Sequence, residues 1–444
     1  MTFADLNLNK PLLTALDELG FTTPTTIQHR AFSAMMSGRD VCGIAQTGTG
    51  KTFAYLLPIL RQWQFSKEKY PTVLIMVPTR ELVAQVVDSI YQLTPYMRVV
   101  TEGFYGGVNM NPQMERAKEK IDIVVATPGR LVDLILSGAL KMKGIKKVVI
   151  DEVDEMLNLG FRTQIKHVLD LLPARRQNTM FSATITEDVQ AIIKTFFNDP
   201  ITVEAAPAGS PLANIQQVAY DVPNFNTKVN LLEKMLQEDA GMSKVLVFAA
   251  TKALADELYE KLEPKFPGKV GVIHSNKEQN HRFNTVKQFQ DGTYRFIIAT
   301  DIIARGLDVA EVSHVINLDA PEVPEDYIHR IGRTGRADRP GVAILFKTGK
   351  EQPLVDKIEA LMNYQIPVKP LPADLEISNV LIESEMPPKF VVPNIEIRQP
   401  KAEPRGAAFH EKKAKNRKVN VKVSHKEKMQ AKYGKPKKRG AKKK

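Results

Sequence analysis

Short apolar runs recur along most of the chain, and each gives way to a polar cluster. Val41–Ile44 runs into Ala45-Gln46-Thr47-Gly48-Thr49-Gly50-Lys51-Thr52, and Val73–Val77 into Pro78-Thr79-Arg80-Glu81-Leu82. Ile123–Ala126 meets Thr127-Pro128-Gly129-Arg130, Lys147–Ile150 meets Asp151-Glu152-Val153-Asp154, and Thr179–Phe181 meets Ser182-Ala183-Thr184. Helical stretches such as Leu82–Leu93 and Gln164–Leu171 separate the runs. Strands alternating with helices predict an α/β fold with a parallel sheet, whose ligands bind outside its carboxyl edge. Every one of these polar clusters falls on that edge.

The rhythm lapses near Glu204-Ala-Ala-Pro-Ala-Gly-Ser-Pro211, a linker-like stretch of small residues and proline. It resumes with Val245–Phe248, Val270–Ile273, Phe296–Ala299, Val315–Leu318 and Val342–Phe346. This second α/β unit has no Gly-Lys-Thr loop, but it carries Ala299–Asp308 and His329–Arg336. Beyond Leu371 the prolines at 372, 387, 388, 393 and 400 argue against another compact domain. The expected organisation is therefore 1–204, a linker at 205–215, a second domain at 216–370, a Pro-containing extension at 371–400, and a tail at 401–444.

Charge sets the tail apart. Residues 401–444 hold 18 Lys/Arg against three acids, a net of +15, which leaves the other 400 residues at −3 of the chain's total of +12. Such a tail, poor in large apolar groups, is expected to be disordered alone and to seek a polyanion such as nucleic acid. Cys42 is the single cysteine, so no intramolecular disulfide exists, which fits a reducing compartment. No signal-peptide pattern opens the chain, and no apolar run approaches the roughly 18 residues of a membrane span. These features read as a soluble cytoplasmic protein.

The cluster after the first strand is a P-loop with Ala45 in place of its first glycine. Successive N–H groups and the following helix N-terminus suit phosphate. Lys51 would reach the β/γ-phosphates, and the Thr52 hydroxyl would sit on Mg²⁺. Asp151 would hold the same Mg²⁺ and Glu152 would polarise the attacking water. Arg333 and Arg336, three apart and so on one face if helical, look like arginine fingers for the γ-phosphate. The amide of Gln28, after Gly20–Ile27, offers the donor–acceptor pair that reads adenine.

Taken together, Phe3 with Gly20–Gln28, Ala45–Thr52, Pro78–Leu82, Gly106-Gly107, Thr127–Arg130, Asp151–Asp154, Ser182–Thr184, Gln279 with Arg282, Ala299–Asp308 and His329–Arg336 resemble, in order, the blocks of the DEAD-box RNA helicases. The resemblance runs from Phe3 to about Phe346, nearest to compact bacterial members with a short basic tail. It implies two tandem RecA-like domains, with ATP and Mg²⁺ bound between them. It also places Phe3 or Phe21 on the adenine, Gln28 on its edge, and Asp308 on the ribose. Pro78, Thr79, Arg80, Glu81, Gly106, Gly107, Thr127, Pro128, Gly129, Arg130, Arg282 and Thr300 fall where the family grips the RNA backbone. Ser182, Thr184 and His329 fall on blocks that couple hydrolysis to strand separation. Val153 for the usual alanine, and Val83 after Leu82, are apolar exchanges that leave the carboxylates in place.

The expected activity is RNA-stimulated ATP hydrolysis with local opening of short duplexes, sequence-tolerant because phosphates and 2′-hydroxyls are gripped. An RNA clamp with slow turnover and a DNA-directed helicase are the rivals. A small-molecule kinase is disfavoured by the finger-like arginines of the second domain. The expected partner is RNA, with ribosomal or mRNA-decay complexes compatible, no membrane, and a monomeric state.

Overall fold

The computed structural model describes residues 2–45, 48–204, 214–301, 312–335, 340–386 and 423–434, without the side chain of residue 279. Met1–Met386 form one unit and Pro387–Lys444 a second. The first unit contains two seven-stranded sheets, parallel throughout. One comprises β1 (Val41–Ile44), β2 (Val73–Met76), β3 (Thr101–Phe104), β4 (Ile123–Ala126), β5 (Lys147–Ile150), β6 (Gln177–Ser182) and β7 (Ile201–Glu204), in the order β3-β4-β2-β5-β6-β1-β7. The other comprises β8 (Ile215–Asp221), β9 (Val245–Phe248), β10 (Val270–Ile273), β11 (Phe296–Ala299), β12 (His314–Asn317), β13 (Gly341–Lys347) and β14 (Val368–Lys369), in the order β10-β11-β9-β12-β13-β8-β14.

A strand covered by helices on both faces must be apolar at every position, and side chains then sort with period two. Val73 and Ile75 of β2, with Ile123 and Val125 of β4, enter the core on one face. Leu74, Met76, Val124 and Ala126 enter the core on the other. The second sheet repeats this, with Val245 and Val247 of β9 on one side and Leu246 and Phe248 on the other. Each such side chain contributes roughly 1.5–3 kcal/mol on burial, so both sheets are rigid platforms for the loops at their edges.

Those loops double as helix caps. Thr25, Thr79, Thr186 and Thr251 each accept a hydrogen bond from the N–H three residues on, opening helices Thr26–Met36, Arg80–Leu93, Glu187–Phe196 and Lys252–Leu262. The cap at Thr79 therefore sets the start of the helix that presents Arg80 and Glu81.

Three features differ from, or add to, the sequence reading. Helix Pro324–Ile331 ends before Arg333, with Gly332 as its C-cap. Arg333 is thus presented from a turn and not from the helical face expected for it; Arg336 lies outside the described residues. Residues 371–386 run along helix Phe225–Glu238. Asn224, Asn226 and Asn230 donate to the carbonyls of Ser378, Val380 and Glu376 at 2.6, 2.8 and 2.9 Å. In the second unit, the described residues include helix His425–Tyr433, closed by a Ser424/Glu427 capping box and with no buried residue. Local capping explains it, for a helix this short has no packed face to stabilise it.

Candidate active site and nucleic-acid interface

The P-loop begins where β1 meets β6. The Ala45 N–H donates to Ser182 O at 2.9 Å, and Gly48 and Gly50 take left-handed φ values of 83° and 87°. Gln46 and Thr47 lie outside the described residues. Gly50 caps helix Lys51–Arg61, which points its N-terminus, with Thr52 in its first turn, at the carboxyl edge. Lys51 is 7 % exposed, and among the described residues its Nζ has no hydrogen-bond partner; it stands 4.0 Å from both Asp151 Oδ1 and Glu152 Oε1. A buried ammonium without hydrogen bonds is costly. Phosphate oxygens delivered there would satisfy it, so the residues fit a nucleotide triphosphate.

Glu152 adopts φ 51° and ψ 51°, and its carboxyl is pushed up to about 7, first by burial and then by the neighbouring Asp151 charge against the pull of Lys51 and Arg333. Burial also raises Asp151, and Lys51 opposes it. Burial pushes Asp154 upward too, but His329, Lys51 and the hydrogen bonds of Thr184 outweigh it and hold the carboxylate low. One Asp154 oxygen accepts from the Ala183 N–H, the Thr184 N–H and the Thr184 hydroxyl at 3.0, 2.9 and 3.0 Å, and lies 3.9 Å from His329 Nε2. Ser182 Oγ donates to Thr184 O at 2.7 Å. Asp154 thus joins the Ser182–Thr184 block to the second half. It was missed as a site residue, although it is the fourth position of the acidic tetrapeptide.

Lys51, Glu152, Asp154, Glu155, Ala183, His329 and Arg333 line one cleft between the two halves. Helix Pro324–Ile331 is fixed there by Arg330. Its Nε and Nη2 meet the two oxygens of Asp301 at 2.5 and 2.6 Å, and its Nη1 reaches Asn317 Oδ1 and Asp319 O at 3.2 and 2.9 Å. Bidentate pairs of this kind fix orientation as well as contributing energy. Asp301 and Arg330 lie inside the blocks Ala299–Asp308 and His329–Arg336, but their pairing was not legible in the sequence, since contacts between distant positions have no local period. Asp308 lies outside the described residues.

At the base end, Phe3 is 4 % exposed and belongs to the core, so it does not lie on a base as expected. Phe21 is 47 % exposed and meets Phe53 edge to face at 5.3 Å, leaving a ring open to solvent. Gln28 is already engaged: its Oε1 accepts from the Thr25 N–H at 2.9 Å and its Nε2 donates to Gly50 O at 3.2 Å.

The residues expected to grip RNA gather on the same edge. Gly106 and Gly129 have open space where a Cβ would stand, whereas a Cβ on Gly107 would lie 1.7 Å from Arg80 Nη2. Arg80 thus packs on Gly107. Thr127 is buried before Pro128, which opens helix Pro128–Leu136. Arg130 is buried, donates to Val108 O at 2.8 Å, and its Nε and Nη1 have no hydrogen-bond partner among the described residues. Pro78 is buried at the end of β2, and Thr300 is buried after β11. Glu81 and Arg282 are both buried and form an ion pair with each other across the two halves.

Family models match both halves: the DEAD/DEAH box helicase over residues 25–192 and the helicase conserved C-terminal domain over 227–338. The chain is 38% identical to the DEAD-box ATP-dependent RNA helicase CshA of Geobacillus kaustophilus over 350 residues, 79% of this chain and 74% of the relative. It is also 38% identical to the RNA helicase CrhR of Synechocystis over 382 residues, 86% of this chain and 77% of the relative. Among solved structures, S. cerevisiae Dbp5 bound to RNA and ADP BeF3 gives a TM-score of 0.76 at 28% identity, covering 83% of this chain and 96% of that one. A variant of the same yeast protein bound to Nup159, Gle1, IP6 and ADP gives 0.59 at 27% identity, with 82% and 95% covered. With both halves matched and relatives covered over most of their length, this chain belongs to the DEAD-box family of ATP-dependent RNA helicases.

Proposed function

We propose that ATP is split in the cleft of Lys51, Glu152 and Arg333, and that assembling this cleft around bound RNA drives local strand separation. The observation that carries the reading is Lys51, a buried ammonium with no hydrogen-bond partner among the described residues, 4.0 Å from two carboxylates. In this reading Lys51 and the P-loop N–H groups bind the β/γ-phosphates, and Glu152 takes the proton of the attacking water. Arg333, with Arg336, neutralises charge on the transferring phosphoryl group. Bound Mg²⁺ would be held by Thr52 and Asp151 and would offset phosphate charge. No three His, Cys, Asp or Glu side chains converge on a metal among the described residues, so phosphate oxygens and water would complete its shell. Phe21 supplies the stacking ring for the base, and Gln28 ties base recognition to Gly50.

On the RNA side, Arg80, the Gly106-Gly107 turn, Thr127–Arg130 and Thr300 form the phosphate grip, and the RNA is read without regard to sequence. Asp154 links that state to hydrolysis, because it touches Thr184 and His329 at once. Ribosomal and mRNA-decay complexes both supply such short duplexes. The test is Lys51→Ala: nucleotide binding and duplex opening are measured together with RNA binding. The expected result is loss of the first two with RNA binding in the absence of nucleotide retained. Normal strand separation by this variant would overturn the assignment.

A further inference from the structure

The amino edge of the first sheet, opposite the cleft, has a composition the described activity does not use. Four of its loops, residues 62–72, 94–100, 118–122 and 137–147, hold nine Lys/Arg and three acids, while the whole of the first 400 residues sums to −3. Aromatic rings stand among these cations. Phe65 is 60 % exposed and Tyr96 53 % exposed, and Trp63, the chain's single tryptophan, packs its inner side on the core. Trp63 and Phe65 form a wall between two clefts. One, of about 300 Å³, is lined by Gln62, Ser66, Lys146 and Lys147; the other, of about 380 Å³, by Tyr96, Met97 and Arg98. Both are of ligand size.

The cations are poised around the rings. Lys120 Nζ lies 4.2 Å from the Phe65 ring centre and donates to Ser66 O at 2.6 Å, and Lys143 stands 4.2 Å from the Tyr70 ring centre. Lys147 donates to Gln62 Oε1 and has no carboxylate partner among the described residues; burial pulls its ammonium down to about 8. An anion in that cleft would supply the missing countercharge. Three acids share these loops: Glu68 and Glu119 are exposed, and Asp122 is buried, accepting from the Val100 N–H and lying 3.9 Å from Lys120.

We propose that this edge is a second contact for single-stranded RNA, in which bases stack on Phe65 and Trp63 while phosphates meet Lys146, Lys147 and Arg98. Stacking on aromatic faces beside a basic track is the general means of holding single strands without reading sequence. Protein–protein interfaces, by contrast, are depleted in lysine, which argues against an acidic protein as the occupant. The strands put this face about 13 Å behind the carboxyl edge, at four residues of some 3.3 Å each. RNA held here is therefore a segment flanking the one gripped at the carboxyl edge.

Trp63 is its own reporter. The full-length protein is titrated with single-stranded oligouridylate while tryptophan fluorescence and ATPase are followed in parallel. RNA should quench Trp63, Phe65→Ala should move the quenching midpoint about tenfold to higher RNA, and Lys146→Ala should lower its salt slope by about 0.7. Both variants should keep the wild-type maximal ATPase, since neither residue reaches the cleft. That readout also separates failure here from failure of the cleft assignment. No quenching at RNA concentrations that saturate ATPase, or a midpoint unmoved by both variants, would overturn the proposal. Quenching by polyglutamate at the same midpoint as by RNA would overturn it in favour of an acidic protein partner.

Discussion

Glu152 carries a left-handed backbone, φ 51° and ψ 51°, that costs energy in any residue with a Cβ. The conformation opens helix Val153–Asn158 and leaves the carboxyl buried beside Asp151, and that burial pushes it up to about 7. A base working near neutrality suits proton transfer from water. Glu152→Gln keeps the shape and removes the base, so ATP turnover should fall about 10²–10⁴-fold with ATP and RNA binding retained; normal turnover would show that water is activated elsewhere. The base acts as carboxylate, so kcat/KM should rise with pH through about 7 and fall below it. A profile flat across that region would contradict the assignment. Gln28 makes a different case. Its amide spans the Thr25 N–H and the Gly50 carbonyl, so Gln28→Ala should weaken ATP binding as well as exclusion of GTP. Competition by GTP checks this: unchanged exclusion and unchanged ATP affinity would place base recognition on other residues.

At the scale of elements, the buried Glu81–Arg282 pair joins the helix after β2 to helix Gln279–Gln290 in the second half. Removing one partner of a buried pair strands the other charge at a cost of about 3–5 kcal/mol, whereas removing both is far milder. Arg282→Leu alone should therefore depress RNA-stimulated ATPase strongly, and Glu81→Leu with Arg282→Leu should recover part of it. If Arg282 instead served by gripping RNA, the double variant would be no better than the single one, and steady-state ATPase against RNA concentration distinguishes the two. This pair also marks where sequence reading stops. The strands were legible because both faces are covered, so Val73–Met76 or Val245–Phe248 is apolar throughout. The edge clusters were legible because a parallel sheet gathers them there. The turn that carries Arg333, the Arg330–Asp301 clamp and the Glu81–Arg282 pair were not, since each depends on residues brought together only by folding. Phe3 shows the same limit: an aromatic near a base-reading block and an aromatic in a core look alike in a string of letters.

For the whole molecule, charge is the quantity that matters, and it is divided between a core of −3 and a tail of +15 from Lys401 to Lys444. Helix His425–Tyr433, in the described part of that tail, buries nothing, and the tail's sequence is poor in large apolar residues. Its contribution to RNA affinity is then electrostatic, and long-range attraction follows the number of phosphates it neutralises. Releasing counterions from a single strand gives a salt slope of about −0.7 per phosphate neutralised. Deleting residues 401–444 should weaken RNA binding, flatten its salt dependence, and raise the RNA concentration for half-maximal ATPase. The maximal rate at saturating RNA should stay near that of the full chain, because Lys51, Glu152 and Arg333 are untouched. Filter binding across a salt series, paired with ATPase titrations, reads all three quantities. Equal affinity and equal slope in the truncated protein would assign the tail to solubility alone. A large fall in the maximal rate would instead mean that the tail acts on the closed cleft itself, a role its composition gives no reason to expect.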